Sequence, residues 1–195
     1  MHPTREKLLL TTVALFDSEH PDQIGQEQVL LESGVSKGSM YHHFEDFSDV
    51  VEAALVYRFH RVVDDNIASL NSMVDESTSR EELIDRLMEI TRVVQSPDRA
   101  PFRFERARAL GKAGYSERFR ASLGAEQQRL TDALTGIVER AQQRSLINPT
   151  IDARAVAVFI QSYTLGKVVD DITEQRMEEE AWVDLIAQII TKVLT

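Results

Sequence analysis

The sequence predicts an all-α protein, and three observations carry that expectation. Only 8 glycines and 5 prolines interrupt 195 residues, so long segments can run as helix without a breaker. Apolar residues recur at i, i+3 and i+4. The longest such pattern is Phe47, Val50, Val51, Ala54, Leu55, Phe59, Val62, Val63, Ile67, Leu70 and Val74, about seven turns of one face. No segment shows the strict apolar–polar alternation of a half-buried strand.

The elements follow in order. Leu9, Val13 and Phe16, with Leu8 and Leu15 beside them, predict a first helix over 4–19. Thr4 is its expected N-cap, without a capping box because Lys7 stands at the box position. His20-Pro21-Asp22 ends it. A short helix over 26–33 points Val29 and Leu30 inward and stops at Gly34. Ser36 then caps a third helix over 37–44, with Met40, Tyr41 and Phe44 as its apolar residues. After the long 47–74 pattern and a polar break, Leu83, Ile84, Leu87, Met88, Ile90 and Val94 mark the next helix. Prolines 97 and 101 break the chain again. Residues 102–120 contain two glycines and predict one or two short helices. Leu123 to Ala141 form a helix ending before Asn148-Pro149, and 152–173 and 178–194 form the last two. The expected organisation is a three-helix head over 1–46 and a helical body over 47–195.

Composition narrows the function classes. With 43% hydrophobic and 28% charged residues the chain has a globular balance. It has no cysteine, which excludes a disulfide scaffold, a thiolate metal site and a cysteine nucleophile. No apolar run approaches the ~18–20 residues of a membrane span. The N-terminal stretch lacks the pattern of a signal peptide, so a cytoplasmic location without membrane association is expected. The net charge of −10 argues against coating nucleic acid by bulk electrostatics. A small local docking surface stays open.

Residues 26–44, QEQVLLESGVSKGSMYHHF, supply such a surface. Two short helices joined by a tight turn at Gly34, with Val35 as a buried plug, have the layout of a helix-turn-helix. The turn needs a residue that accepts positive φ, which glycine does without strain. The second helix opens with Ser36, Lys37, Gly38 and Ser39, small or flexible polar residues that let its first turn enter a major groove. Its free N–H groups suit a phosphate.

The stretch SGVSKGSMYHHF resembles the recognition segment of TetR-type transcriptional regulators, whose usual form is A-G-V-S-x-G-[ST]-[LMI]-Y-x-[HY]-F. A first helix ending in Leu15-Phe16, a compact three-helix head and a long fourth helix leading into an all-helical body match the same family in layout. The resemblance implies DNA binding through Ser36, Lys37, Gly38, Ser39, Tyr41 and His42. Ser36 and Ser39 would cap the helix and touch phosphate or base edges. Lys37 would reach bases or phosphates, Gly38 would allow close approach, and Tyr41 and His42 would hold backbone phosphates. Met40 and Phe44 would be head core. Two features depart from the family pattern: Ile24 and Gly25 stand where a threonine pair is common, and Phe47 stands in place of a lysine that would contact phosphate. The first 50 residues also hold three basic residues against nine acidic ones, which weakens nonspecific binding. All five histidines lie at or before position 60, so protonation below about pH 6.5 would offset part of that deficit.

The body carries no motif. No nucleophile–base, nucleotide-loop or metal-ligand pattern occurs, so no enzyme activity, catalytic residue, metal or resident cofactor is expected. His42 and His43 are adjacent on a helix and diverge by about 100°, which disfavours shared ligation. Residues 98–120 hold seven basic and three acidic residues, read as a solvated face rather than an anion site. Phe102, Phe104 and Tyr163 are the candidate effector contacts. The last two helices are apolar over more than one stripe, which calls for a second buried surface. A two-fold four-helix bundle through Phe159, Tyr163, Trp182, Ile186, Ile189 and Val193 satisfies it, and the resemblance implies the same homodimer. The combined expectation is a ligand-responsive regulator, acting as a repressor, that binds a palindromic DNA operator as a homodimer and answers to a small molecule. The alternative is a protein-interaction module derived from a helix-turn-helix.

Overall fold

The computed structural model describes residues 2–194, and the side chains of residues 2–192. Among these residues it contains ten α-helices, one 3-10 turn and no strand. The helices are α1 Pro3–Leu15, α2 Gln26–Ser33, α3 Lys37–His43, α4 Phe47–Glu76, α5 Arg80–Gln95, α6 Ala100–Ala113, α7 Glu117–Gln143, α8 Ala153–Gly166, α9 Val168–Asp171 and α10 Glu179–Leu194. The 3-10 turn is Pro97–Arg99. No helix among the described residues is long and apolar enough to cross a membrane.

The chain divides into two compact units. The first comprises residues 1–64 and 113–126, so it takes in the start of α4 and the start of α7 as well as the three N-terminal helices. Its core is built from Leu8, Leu9 and Leu15 of α1, Val29 of α2, Met40 of α3, Phe44, and Val50, Val51 and Ala54 of α4. Phe119 and Leu123 of α7 are also buried. These are the residues that the helical spacing places on one face, with Tyr41 the exception, since it turns outward and is 48% exposed.

The boundaries of α1 differ from expectation at both ends. Pro3 occupies the first helical turn, where its missing N–H costs nothing. His2 is therefore the N-cap, its Nδ1 accepting from the Thr4 amide at 3.3 Å, and Thr4 lies inside the helix. The regular helix ends at Leu15, ahead of the expected 19.

The second unit comprises residues 65–112 and 127–195. Its core joins Met73 and Val74 of α4, Leu83 and Met88 of α5, Ile137, Val138 and Ala141 of α7, Val156 of α8, and Val183, Ile186 and Ile190 of α10. The α4–α5 corner is closed by polar groups. Arg144 donates to the carbonyls of Val74 and Ser77 at the C-terminal end of α4, where carbonyls lack helical partners. Ser79 caps α5 by accepting from the Glu82 amide at 3.1 Å. The Thr78 amide and hydroxyl donate to Glu82 and hold its carboxyl down at about 2.

Residues 102–120, expected as one or two short helices, are most of α6 and the start of α7. The segment 152–173 is split at Lys167 into α8 and α9. The local cause is a weak helix former, Gly166, followed by a buried lysine whose ammonium donates to the Gln95 carbonyl. Beyond that break, Asp171 of α9 meets Arg103 of α6 in a buried bidentate pair, Nε to Oδ2 at 2.6 Å and Nη2 to Oδ1 at 2.8 Å. Arg103 Nη1 also donates to the carbonyls of Val94 and Ser96. The arginine is 4% exposed, so it belongs to the core and not to a solvated face.

Candidate nucleic-acid interface and ligand cavity

The turn between α2 and α3 is built as its sequence requires. Gly34 has φ 61°, the left-handed conformation that a side chain would strain. The buried Ser33 hydroxyl donates to the Leu30 carbonyl and accepts from the Val35 amide, both at 3.3 Å, which ties the two sides of the turn together. Val35 is partly buried against the head core. Ser36 caps α3, accepting from the Ser39 amide at 3.2 Å, and the two hydroxyls lie 3.0 Å apart.

Burial then sorts the faces of α3. Met40 is fully buried and Phe44 nearly so. Ser36, Lys37, Gly38, Tyr41 and His42 are exposed, and Ser39 is half-exposed. The six residues expected to meet DNA therefore share one short helix and its cap, on the side away from the core. Ser39 is partly committed to the cap, so it has less capacity for an outside partner than Lys37 or His42.

Charge is distributed unevenly around this helix. The His2 and His43 rings lie 4.5 Å apart, His42 sits edge-on to His43 at 5.0 Å, and the Arg5 guanidinium lies over Phe44 at 4.9 Å. Desolvation, followed by the neighbouring His2, His42 and Arg5, lowers the pKa of His43 below the usual histidine range. Basic groups thus gather beside α3. The acidic residues just before α4 and in its first turns are drawn to a different partner. Arg118 of α7 reaches Glu45 at 2.7 Å, Glu52 at 3.0 Å, Asp46 at 3.4 Å and Asp49 at 3.5 Å. Arg58 pairs with Asp17 at 3.3 Å. Four of the nine acidic residues in the first 50 are offset by arginines from further along the chain.

His43 sets a pH dependence. Proton uptake at His43 is suppressed in the free protein, and phosphate nearby would favour it. Any polyanion held beside α3 is expected to bind more tightly as pH falls from 7.5 to 6, and a His43→Gln variant to lose part of that rise in anisotropy titrations at fixed salt. An unchanged slope in the variant removes His43 from the effect.

The second unit encloses a cavity of about 360 Å³, within the range of small-molecule sites, roughly 300–1,000 Å³. Its wall is largely aliphatic, from α4, α5, α7, α8 and α10. Thr91, Gln95, Arg106, Gln161 and Tyr163 are among its polar members. Tyr163 and Thr91 place their hydroxyls 3.4 Å apart, and burial raises the Tyr163 pKa. Gln161 donates to the Thr131 hydroxyl and the Ala157 carbonyl, both at 3.1 Å.

Of the three candidate effector contacts, Tyr163 lines this cavity and Phe102 and Phe104 do not. Phe102 is 47% exposed beneath the Arg99 guanidinium. The side chains that spacing did not single out are Gln95 and Arg106. A signal for Gln95 does exist in the sequence: Leu83, Leu87, Thr91 and Gln95 follow one another at i+4, so polar residues continue an apolar stripe. Arg106 carried no such mark within its basic segment.

The expected dimer residues also separate. Phe159 is 41% exposed, with its ring 5.4 Å from that of Tyr163. Ile186, by contrast, is 1% exposed within one chain, so it is intramolecular core. Trp182 is half-buried and donates its indole N–H to Gln95 Oε1 at 3.2 Å. Ile189 lines the cavity. The Val193 side chain lies outside the described residues. The large apolar residues that remain outward on α8 and α10 are Val158 and Phe159 on α8 and Leu185 on α10. Among the described residues no group of three histidine or acidic side chains is placed to hold a metal ion.

No protein-family model and no curated protein matches the sequence. Solved structures do. A TetR transcription regulator from Haloarcula marismortui aligns over 98% of both chains with a TM-score of 0.70 at 16% identity. A candidate TetR-family regulator from Mesorhizobium loti aligns over 97% of this chain and 94% of its own, with a TM-score of 0.69 at 15% identity. A candidate transcriptional regulator from Saccharomonospora viridis, in complex with choline, aligns over 97% of this chain and 96% of its own, with a TM-score of 0.68 at 15% identity. The fold found in these regulators is the fold of this chain.

Proposed function

We propose that this chain, folded as TetR-family regulators are, is a DNA-binding transcriptional regulator and not an enzyme. The observation that carries the reading is the outward presentation of α3. Its two apolar anchors, Met40 and Phe44, are buried, and Lys37, Gly38, Tyr41 and His42 are exposed beside a cluster of basic groups. A helix presented this way fits a major groove, with Lys37 toward base edges and Tyr41 and His42 toward phosphates.

The regulator acts as a homodimer on a palindromic operator, two heads reading half-sites about one helical turn or more apart. The outward Val158, Phe159 and Leu185 support dimerisation, because exposed apolar residues on the last helices favour burial against a second copy. Leu185→Asp, at a residue 47% exposed in one chain, is expected to shift the dimer toward monomer in sedimentation velocity while leaving helicity unchanged. An intact dimer places the interface elsewhere.

The cavity supports a small-molecule effector. Release of DNA on binding would make the protein a repressor, and the coupling can be no larger than the ligand's differential affinity for the two conformations. Selection from a random-sequence DNA pool, read out by fluorescence anisotropy, tests the regulator reading. A palindromic winner is expected. Absence of any preferred sequence at low salt overturns it in favour of a protein-interaction module.

A further inference from the structure

The cavity in the second unit sets the chemistry of what it can hold. Most of its wall is aliphatic, with Leu70, Leu87, Leu134, Ile160 and Ile189 as examples. Such a lining rewards an apolar body and offers it no hydrogen bonds. Among the polar side chains that interrupt it, two stand out.

Arg106 is the charged residue among the described residues that line the wall, and none of them is acidic. Among its contacts, Nη2 donates to the amide oxygen of Gln127 at 3.4 Å. Burial lowers its pKa below the usual arginine range, yet a guanidinium stays protonated at neutral pH. Arg106 thus brings a guanidinium to the cavity wall.

Gln95 is the second donor. An indole N–H can only donate, so the bond from Trp182 fixes the Gln95 amide oxygen toward Trp182. The NH₂ group must then face the other way. The side chain is 1% exposed and lines the cavity, and Nε2 has no hydrogen-bond partner among the described residues. A buried donor without an acceptor is costly, and an acceptor on a bound molecule would recover that cost.

We propose that the effector is an amphipathic carboxylate: an apolar skeleton lodged among the aliphatic residues, with its acid group received by Arg106 and Gln95. A planar carboxylate suits the guanidinium fork, and it offers oxygens enough for the glutamine amide as well. A cation of the same skeleton would leave water to meet like charge with no acidic residue on the wall. A neutral alcohol would forgo the charge-assisted bonds. The assignment rests on the effector-responsive reading above and names the class of its effector.

The chain contains one tryptophan, Trp182, already bonded to Gln95, so its fluorescence reports events at that end of the cavity. Decanoate and 4-phenylbutyrate, each beside the alcohol and the ammonium of the same skeleton, are titrated by fluorescence and calorimetry. At least one carboxylate is expected to bind tenfold or more tightly than both of its analogues. Arg106→Met is expected to bring its affinity down to that of the alcohol, and Gln95→Leu to weaken it severalfold by calorimetry. Arg106→Lys keeps the charge and is expected to keep a preference for carboxylate over alcohol, which separates loss of charge from loss of fold. Binding by neither carboxylate, equal affinity for an analogue, or an unchanged Arg106→Met overturns the assignment. Operator binding on the same preparations distinguishes the two readings. A selected operator without carboxylate binding overturns the effector class alone. Carboxylate binding without any selected DNA sequence supports the class and overturns the regulator.

Discussion

Asp171→Ala is expected to destabilise the fold by about 3–5 kcal/mol. The carboxylate accepts two hydrogen bonds from Arg103, at 2.6 and 2.8 Å, and both residues are 4% exposed. Removing it leaves a guanidinium in the core facing the backbone carbonyls of Val94 and Ser96, with no opposite charge against it. Urea unfolding followed by circular dichroism measures the loss as a lower midpoint at unchanged slope. The paired substitution Arg103→Met, Asp171→Leu is expected to recover much of it, because the penalty lies in the stranded charge and not in the missing attraction. A single substitution within about 1 kcal/mol of wild type would show that water reaches Arg103. The pH dependence has a definite sign. The bonds from Arg103 hold Asp171 below the usual carboxylate range. Its contribution is therefore present above the unfolded-state pKa of about 4 and is lost as pH falls through the lower folded value. The wild type and Asp171→Asn should converge in stability toward strongly acidic pH.

Lys37→Ala is expected to cost about 1–3 kcal/mol of operator affinity, roughly 5- to 150-fold, and to relax preference at one base pair. The argument is positional. Lys37 is exposed at the first turn of α3, beside Gly38, where no Cβ stands between the backbone and a groove. Tyr41→Ala is expected to weaken every sequence by a similar factor, since a phosphate contact positions without discriminating. Anisotropy titrations against the selected operator and single-base variants separate the two patterns. The salt slope adds a check: a Lys37 that touches phosphate instead of base would lower it by about one upon substitution and leave specificity intact. Unchanged affinity in both variants would mean that α3 is not the reading element.

The helical elements were legible because helix burial is periodic along the chain. Met40 and Phe44 repeat at i+4 and prove buried; Ser36 precedes them as a cap and makes the cap bond. Gly34 falls where a left-handed residue closes the turn. Legibility failed where the deciding partner is distant or the apolar pattern is silent. His2 displaced Thr4 as the cap of α1 because Pro3 took the first turn, a local competition that the apolar pattern does not report. Phe102 and Phe104 look like pocket residues by composition, yet Phe102 is outward and neither lines the cavity. Ile186 has the same spacing as a dimer contact and is spent on the chain's own core.

By itself, then, the chain's residue order determined an all-helical architecture, the helix-turn-helix and the face that α3 turns outward. These depend on steric and hydrogen-bonding preferences acting within a few residues, which spacing records directly. Only the tertiary structure decided that Arg118 would gather the acidic residues of the head, that Arg103 would be buried against Asp171, and that Gln95 and Arg106 would line one cavity. Those pairings join residues up to some 70 positions apart, and charge and polarity alone do not say which of many possible partners a side chain will meet. Packing selects the partner, because a buried polar group is stable only where its counterpart is brought within hydrogen-bonding distance.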